Sequence, residues 1–165
     1  MAKHKEKILA AAVCAAAIAA DQISKFAVRG LMESRNGVEL TLIPGMLSFI
    51  NSFNQGIAFG MFQGIRVWFL LLPIAMAIFI LFFYLKEGVK GRMLGAAGLG
   101  LMLGGAFGNL IDRVRLGYVF DFIEAYYKSY HWPTFNTADA LIVIGFFLFA
   151  IVMFRGVGSE GSGNE

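Results

Sequence analysis

Two stretches of this chain hold no charged side chain over a length that matches a lipid bilayer. Val67–Leu85 and Met93–Ile111 are nineteen residues each, without Asp, Glu, Lys or Arg. A helix needs about 20 mostly apolar residues to cross the hydrocarbon core, where its backbone must satisfy its own hydrogen bonds. Both stretches therefore read as membrane helices. Composition agrees: the chain is 58% hydrophobic and 15% charged, with a mean hydropathy of +0.70. That excludes a disordered chain and argues against an ordinary soluble domain. One Cys excludes an intrachain disulfide, and with two His it leaves no zinc set. A net charge of +3, dispersed along the chain, does not argue for nucleic acid.

Two further spans are interrupted near one end. Ile8–Ala20 is apolar before Asp21 and Lys25 intrude ahead of Phe26–Val28, and Ala140–Phe154 follows Asp139. The expected fold is an all-α membrane protein, one domain over residues 1–165. It has four transmembrane helices at about 8–28, 67–85, 93–111 and 137–155, a flexible polar tail at 156–165 and a small β-structured outer loop. The strands come from the alternation of Val38–Ile43 and Met46–Phe53 around a Pro44-Gly45 turn. Lys3, Lys5, Lys7, Lys86, Lys90, Arg92 and Arg155 crowd three short segments. The two long connections carry as many positive residues at lower density, so both termini are expected in the cytoplasm. Residues 1–19 also read as a cleavable signal peptide, with a basic start, an apolar run and Ala17-Ile18-Ala19. A lipoprotein signal is excluded because Val13 precedes Cys14, and Cys14 reads as a small apolar helix residue.

Gly100, Gly104 and Gly108 recur every four residues and read as a close-packing seam, with Gly95, Gly98 and Gly105 adding to it. Pro73 reads as a kink. Trp68 and the group Tyr126, Tyr127, Tyr130 and Trp132 suit an interfacial aromatic belt, with the segment after the third span lying along the membrane.

Polar residues on so apolar a background are the informative ones. They collect at the outer ends of the first, third and fourth spans: Asp21, then Asn109, Asp112 and Arg113, then Asn136 and Asp139, with Asn54 and Asp121 in the outer loops. Each has a plain structural reading. Asp21 and Lys25 are four apart and can simply pair. Asp112 and Arg113 can serve structural charge pairs. Asn136 can cap the fourth span with Asp139 completing a capping box. Asp121 can be an ordinary loop carboxylate, and His131 an interfacial aromatic. The alternative is a carboxylate pair sharing one proton, which can activate water for peptide hydrolysis without metal, Ser or Cys.

Five segments occur in order: Asp21-Gln22-Ile23-Ser24-Lys25, Asn54-Gln55-Gly56-Ile57-Ala58-Phe59-Gly60, Gly104 through Arg113, Val119-Phe120-Asp121-Phe122-Ile123, and Phe135-Asn136-Thr137-Ala138-Asp139. Together they resemble lipoprotein signal peptidase, the bacterial signal peptidase II family, from Asp21 to about Gly145. The resemblance implies a four-helix aspartic endopeptidase of the bacterial inner membrane, with both termini cytoplasmic, an uncleaved first span and a site at the outer face. It implies cleavage of prolipoprotein signal peptides before a diacylglyceryl-modified Cys, contact with membrane lipids, no cofactor, and inhibition by globomycin. Its catalytic pair falls on Asp121 and Asp139. Its substrate-binding or supporting residues fall on Asp21, Asn54, Gly56, Asn109, Asp112, Arg113 and Asn136. Two other classes remain to be weighed: a small proton-coupled transporter subunit, and a non-enzymatic membrane assembly protein. Against the first, no acidic residue lies within the two central spans and no internal repeat is evident.

The expected topology is testable with reporter fusions at Gly37 and Lys90. They should report opposite sides of the membrane, and reports from the same side contradict four spans.

Overall fold

The computed structural model describes residues 2–55 and 93–157. The expected second span, Trp68, Pro73 and Gly56 lie outside the described residues. Within them the order is α1 (Ala2–Ser34), β1 (Leu40–Ile43), β2 (Leu47–Asn54), α2 (Met93–Leu116), β3 (Val119–Tyr127), β4 (Tyr130–His131) and α3 (Thr137–Val157).

The three helices keep polar side chains inside and apolar ones outside. Asp21, Lys25, Asn109, Asp112 and Asn136 are buried, whereas Ile23, Phe26, Phe107, Val143, Phe146 and Phe147 are exposed. A water-soluble bundle shows the reverse, and an apolar exterior of this extent suits a lipid surround. Residues His4–Ser34 and Met93–Leu116 are long and apolar enough to cross a membrane, and Thr137–Val152 is a shorter apolar helix. Both long helices extend beyond their expected spans, because charged residues at their ends are helical too.

α2 lies between α1 and α3, and glycine makes that position possible on two faces. A Cβ on Gly100 would meet the Ala10 carbonyl oxygen at 2.6 Å, and one on Gly104 would strike Ala17 and the Cys14 carbonyl of α1. On the other face, a Cβ on Gly98 would meet the Gly145 carbonyl oxygen at 2.8 Å, and one on Gly105 would strike Ala138 and Ile142 of α3. The expected seam is thus real, and it serves two partners rather than one. Close approach of backbones supplies the dispersion contacts that hold helices together where lipid removes the hydrophobic drive. Cys14 is half-buried within this contact, consistent with a packing role.

The strands form one antiparallel sheet in the order β1-β2-β3-β4. Gly45, at φ 79°, sits in the turn joining β1 to β2, close to the strands expected from alternation. The segment after α2 differs from its expectation. It was read as a loop along the membrane, but residues 119–127 form a strand paired to β2 with Phe53 opposite Phe120 and Ser52 opposite Asp121. Its composition already favours a strand, since Val, Phe, Ile and Tyr suit a pleated surface. Alternation puts Phe120 and Phe122 on one face and Asp121 on the other. Phe120 and Phe122 pack with Val28, Met32, Phe49 and Ile123, which fastens the sheet to the C-terminal end of α1. β2 carries an irregularity between Phe49 and Ser52. Of the aromatic group, Tyr127, Tyr130 and Trp132 are exposed, as an interfacial belt requires.

Gly104→Ala should lower stability in detergent by about 1–3 kcal/mol, since its methyl meets backbone rather than a movable side-chain tip. Gly30 of α1 has open space around it, so Gly30→Ala should leave the melting temperature unchanged or raise it slightly. Thermal unfolding of the two variants beside wild type checks both.

Candidate active site

Helix geometry begins the assembly. Asp21 and Lys25 stand one turn apart on α1, and Asn109 and Asp112 nearly so on α2, so each pair shares a face. Gly108 lets those faces meet, because a Cβ there would strike the Asp21 carboxylate. Lys25 Nζ then donates to Asp21 Oδ2 at 2.9 Å and Asn109 Oδ1 at 3.0 Å, and pairs with Asp112 Oδ2 at 2.9 Å. Gln22 Nε2 adds bonds to Asp112 Oδ1 at 3.0 Å, Asp21 Oδ2 at 3.1 Å and the Gly108 carbonyl at 3.2 Å.

The start of α3 closes the other side. Asn136 Oδ1 accepts from the Asp139 N–H at 3.1 Å, while Asp139 Oδ2 accepts from the Asn136 N–H at 3.1 Å. This reciprocal pair is a capping box with Asn and Asp in its two positions. The Asp21 carboxylate accepts from the next free helical N–H, that of Ala138, at 3.0 Å. A buried carboxylate of α1 thereby caps α3, which both the orphan N–H groups and the helix dipole favour. Ser24 and Thr137 hydroxyls meet at 2.7 Å beside it.

Asp121 arrives from the sheet. Gly117 follows the last residue of α2 at φ 81°, and its N–H bonds the Arg113 carbonyl at 3.0 Å. This left-handed cap suits glycine and reverses the chain. The Phe120 N–H then reaches Asp112 Oδ2 at 3.3 Å. Asp121 Oδ1 accepts from Asn136 Nδ2 at 2.6 Å and Oδ2 from Asn54 Nδ2 at 2.8 Å. Asn136 Nδ2 also reaches Asn109 Oδ1 at 3.0 Å, and Asn109 Nδ2 reaches Asp139 Oδ1 at 2.8 Å. Asn136 is therefore shared by Asp121, Asp139 and Asn109.

Seven of the expected residues thus converge: Asp21, Asn54, Asn109, Asp112, Asp121, Asn136 and Asp139. Arg113 is half-buried nearby but differs from its expectation of serving charge pairs. Its guanidinium donates to the Asn109 carbonyl at 3.3 Å, and it forms no ion pair among the described residues. Asp112 faces α1 instead, about 100° around the helix from Arg113, and takes Lys25 as partner. Lys25 and Gln22 belong to the assembly, although neither was counted among the candidate site residues. The signal was present: a lysine within an apolar span needs a carboxylate, and Asp21 stands one helical turn before it.

Burial pushes the Asp121 carboxyl up to about 6; the Asp139 charge adds to the rise, while bonds from Asn54 and Asn136 and the Lys25 charge oppose it.

Against known proteins, the family model described as signal peptidase (SPase) II matches residues 13–155. The chain belongs to the signal peptidase II family. Curated relatives in it include the lipoprotein signal peptidase of Clostridium novyi (strain NT), 38% identical over 136 residues, covering 82% of this chain and 90% of the relative. That of Geobacter sulfurreducens is 36% identical over 146 residues, covering 87% and 90%. A solved bacterial membrane enzyme superposes with a TM-score of 0.76 at 27% identity, covering 94% of this chain and 93% of its own. A second does so at 0.73 and 28%, covering 87% and 91%. This family member is accordingly a peptidase and a membrane protein.

Asp21 carries both the Lys25 pair and the α3 cap, so Asp21→Ala should cost about 3–5 kcal/mol, the usual penalty for breaking a buried ion pair. Asp21→Asn should cost less, because its amide oxygen can still accept the Ala138 N–H. Chemical unfolding of both variants in one detergent measures the difference.

Proposed function

We infer that this protein removes signal peptides from prolipoproteins, as an aspartic endopeptidase acting at the outer face of a bacterial inner membrane. Family membership supports the peptidase activity and the prolipoprotein substrate. The observation that carries the aspartic chemistry is the sharing of Asn136 between Asp121 and Asp139. One buried residue at the head of α3 ties together two carboxylates eighteen residues apart, holding Asp121 with its side-chain NH₂ and Asp139 with its backbone N–H.

The surroundings favour one proton for the pair. Four carboxylates (Asp21, Asp112, Asp121 and Asp139) gather around two cations, Lys25 and Arg113. Binding one proton relieves part of that excess in a medium that screens charge poorly. Asp139 sits in the first turn of α3, where its carboxylate accepts from the Asn136 backbone N–H and the Asn109 amide. Asp121 is 2% exposed and is the group that burial drives toward protonation. Asp121 therefore serves as the acid and Asp139 as the base.

In the forward reaction Asp139 takes a proton from water as the water oxygen attacks the scissile carbonyl. Asp121 places its proton on the carbonyl oxygen, forming the tetrahedral intermediate. On collapse the C–N bond breaks, the amine takes the proton held by Asp139, and the hydroxyl proton returns to Asp121. The new amine belongs to the lipid-modified Cys and the new carboxylate to the signal peptide. Asn54, Asn109 and Asn136 hold the two carboxyl groups in register. A site at the sheet–helix junction suits a substrate that is itself a membrane helix with a lipid at its end. The four-span topology with cytoplasmic termini, binding of membrane lipids and sensitivity to globomycin belong to the same reading. Neither transporter nor assembly roles are favoured by any feature of the site.

The decisive experiment assays Asp121→Asn, Asp139→Asn and the double variant on a lipidated prolipoprotein with chelator present. Each should abolish turnover while the protein stays folded, and the double should be scarcely worse than either single. Robust cleavage by Asp139→Asn would reduce that residue to a helix cap. The pH profile is a second check. Asp121 keeps its proton below about 6 and loses it above. Turnover should therefore fall as pH rises beyond that point, by about tenfold per unit in the limiting region.

A further inference from the structure

Lys25 is buried at the centre of the polar cluster, yet the proposed cleavage gives it no step. Its ammonium has three N–H bonds and three acceptors: Asp21 Oδ2, Asp112 Oδ2 and Asn109 Oδ1. The third is the informative one. Asn109 Oδ1 receives Lys25 Nζ at 3.0 Å and Asn136 Nδ2 at 3.0 Å. Two donors converging on one atom require that atom to be the oxygen, so the amide nitrogen must face the other way. There it donates to Asp139 Oδ1 at 2.8 Å. A flipped amide would set two donors against an NH₂ group and turn an oxygen toward a carboxylate.

We propose that Lys25 is a positioning residue for the reaction: by holding Asn109 Oδ1 from α1, it keeps the Asn109 NH₂ aimed at Asp139. Asn136 alone is a weaker anchor, because it is neutral and its amide also serves Asp121. The inference rests on reading Asp121 and Asp139 as the acting pair. The charged groups that meet Lys25 are Asp21 on its own helix and Asp112 on α2, and its charge also acts on Asp121 of β3. Losing Lys25 loosens the Asn109 amide that holds the Asp139 carboxylate, which misplaces a reacting group and lowers kcat while leaving substrate binding nearly unchanged.

Lys25→Met alone strips two buried carboxylates of their cation and endangers the fold. The deciding protein is Lys25→Met/Asp112→Asn, which removes one charge of each sign. A second balanced pair, Lys25→Met/Asp21→Asn, retains an oxygen to cap α3 and reads the same quantity by another route. Each purified variant is assayed on a lipidated prolipoprotein, with thermal unfolding in parallel. The expected result in a folded pair is KM within about twofold of wild type and kcat reduced about 10–100-fold, the scale of a small misplacement of a reacting group. Wild-type kcat, or a rise in KM as large as the fall in kcat, overturns the proposal and leaves Lys25 a purely structural cation. Cleavage by Asp139→Asn would instead fail the acting-pair reading itself.

Discussion

The Asp21 carboxylate joins three parts of this protein at one point. One oxygen holds the buried Lys25 ammonium, and the other receives a backbone N–H at the head of α3. Gly108 of α2 leaves the room in which it sits. An unpaired carboxylate in such a place would be prohibitively costly, so its partners are obligatory rather than optional. Satisfying them sets α1 against α2 and α1 against α3 at one level of the bundle. Asn109 takes a Lys25 N–H that the Asp21–Lys25 pair leaves open, and Asn136 and Asp139 then bond to Asn109 and to each other. Among the described residues no buried side-chain nitrogen or oxygen lacks a partner.

Stability and function draw on the same bonds here. The Asn136–Asp139 capping box is a complete structural explanation for both residues, and it coexists with their place beside Asp121. A helix start is a reasonable location for an ionised carboxylate, because dipole and N–H groups both favour the negative form. A buried strand is a reasonable location for a carboxyl that must hold a proton near neutral pH, because burial opposes ionisation. Family membership shows a signal peptidase, and the solved membrane enzymes share its fold.

Most of the helical framework was legible in the sequence, since apolar length alone identifies a membrane helix. The glycine seam at Gly100, Gly104 and Gly108 was legible for the same reason: a four-residue period has a single helical meaning. The β1–β2 hairpin could be read from alternation and its Pro44-Gly45 turn. β3 was missed because its flanking tyrosines also suit an interfacial belt, which masked the alternation of Phe120-Asp121-Phe122. The partners of Asp112 and Arg113 could not be read from spacing, because residues one apart on a helix diverge by about 100°. Only the packed helices decide that Asp112 meets Lys25 while Arg113 turns to a backbone carbonyl.

The sequence by itself determined that this chain belongs in a membrane, which residues are polar enough to do chemistry there, and which family they resemble. Those properties are local, carried by run length, spacing and ordered motifs. Tertiary structure alone decided that Lys25 takes Asp112 as well as Asp21, that Asp21 caps a helix more than a hundred residues away, and that one Asn136 serves two carboxylates. Hydrogen bonds reach about 3 Å and depend on direction, so their partners are fixed only once the backbones have met. Here that meeting is set by glycine faces and a strand register, neither of which is a property of the polar residues themselves.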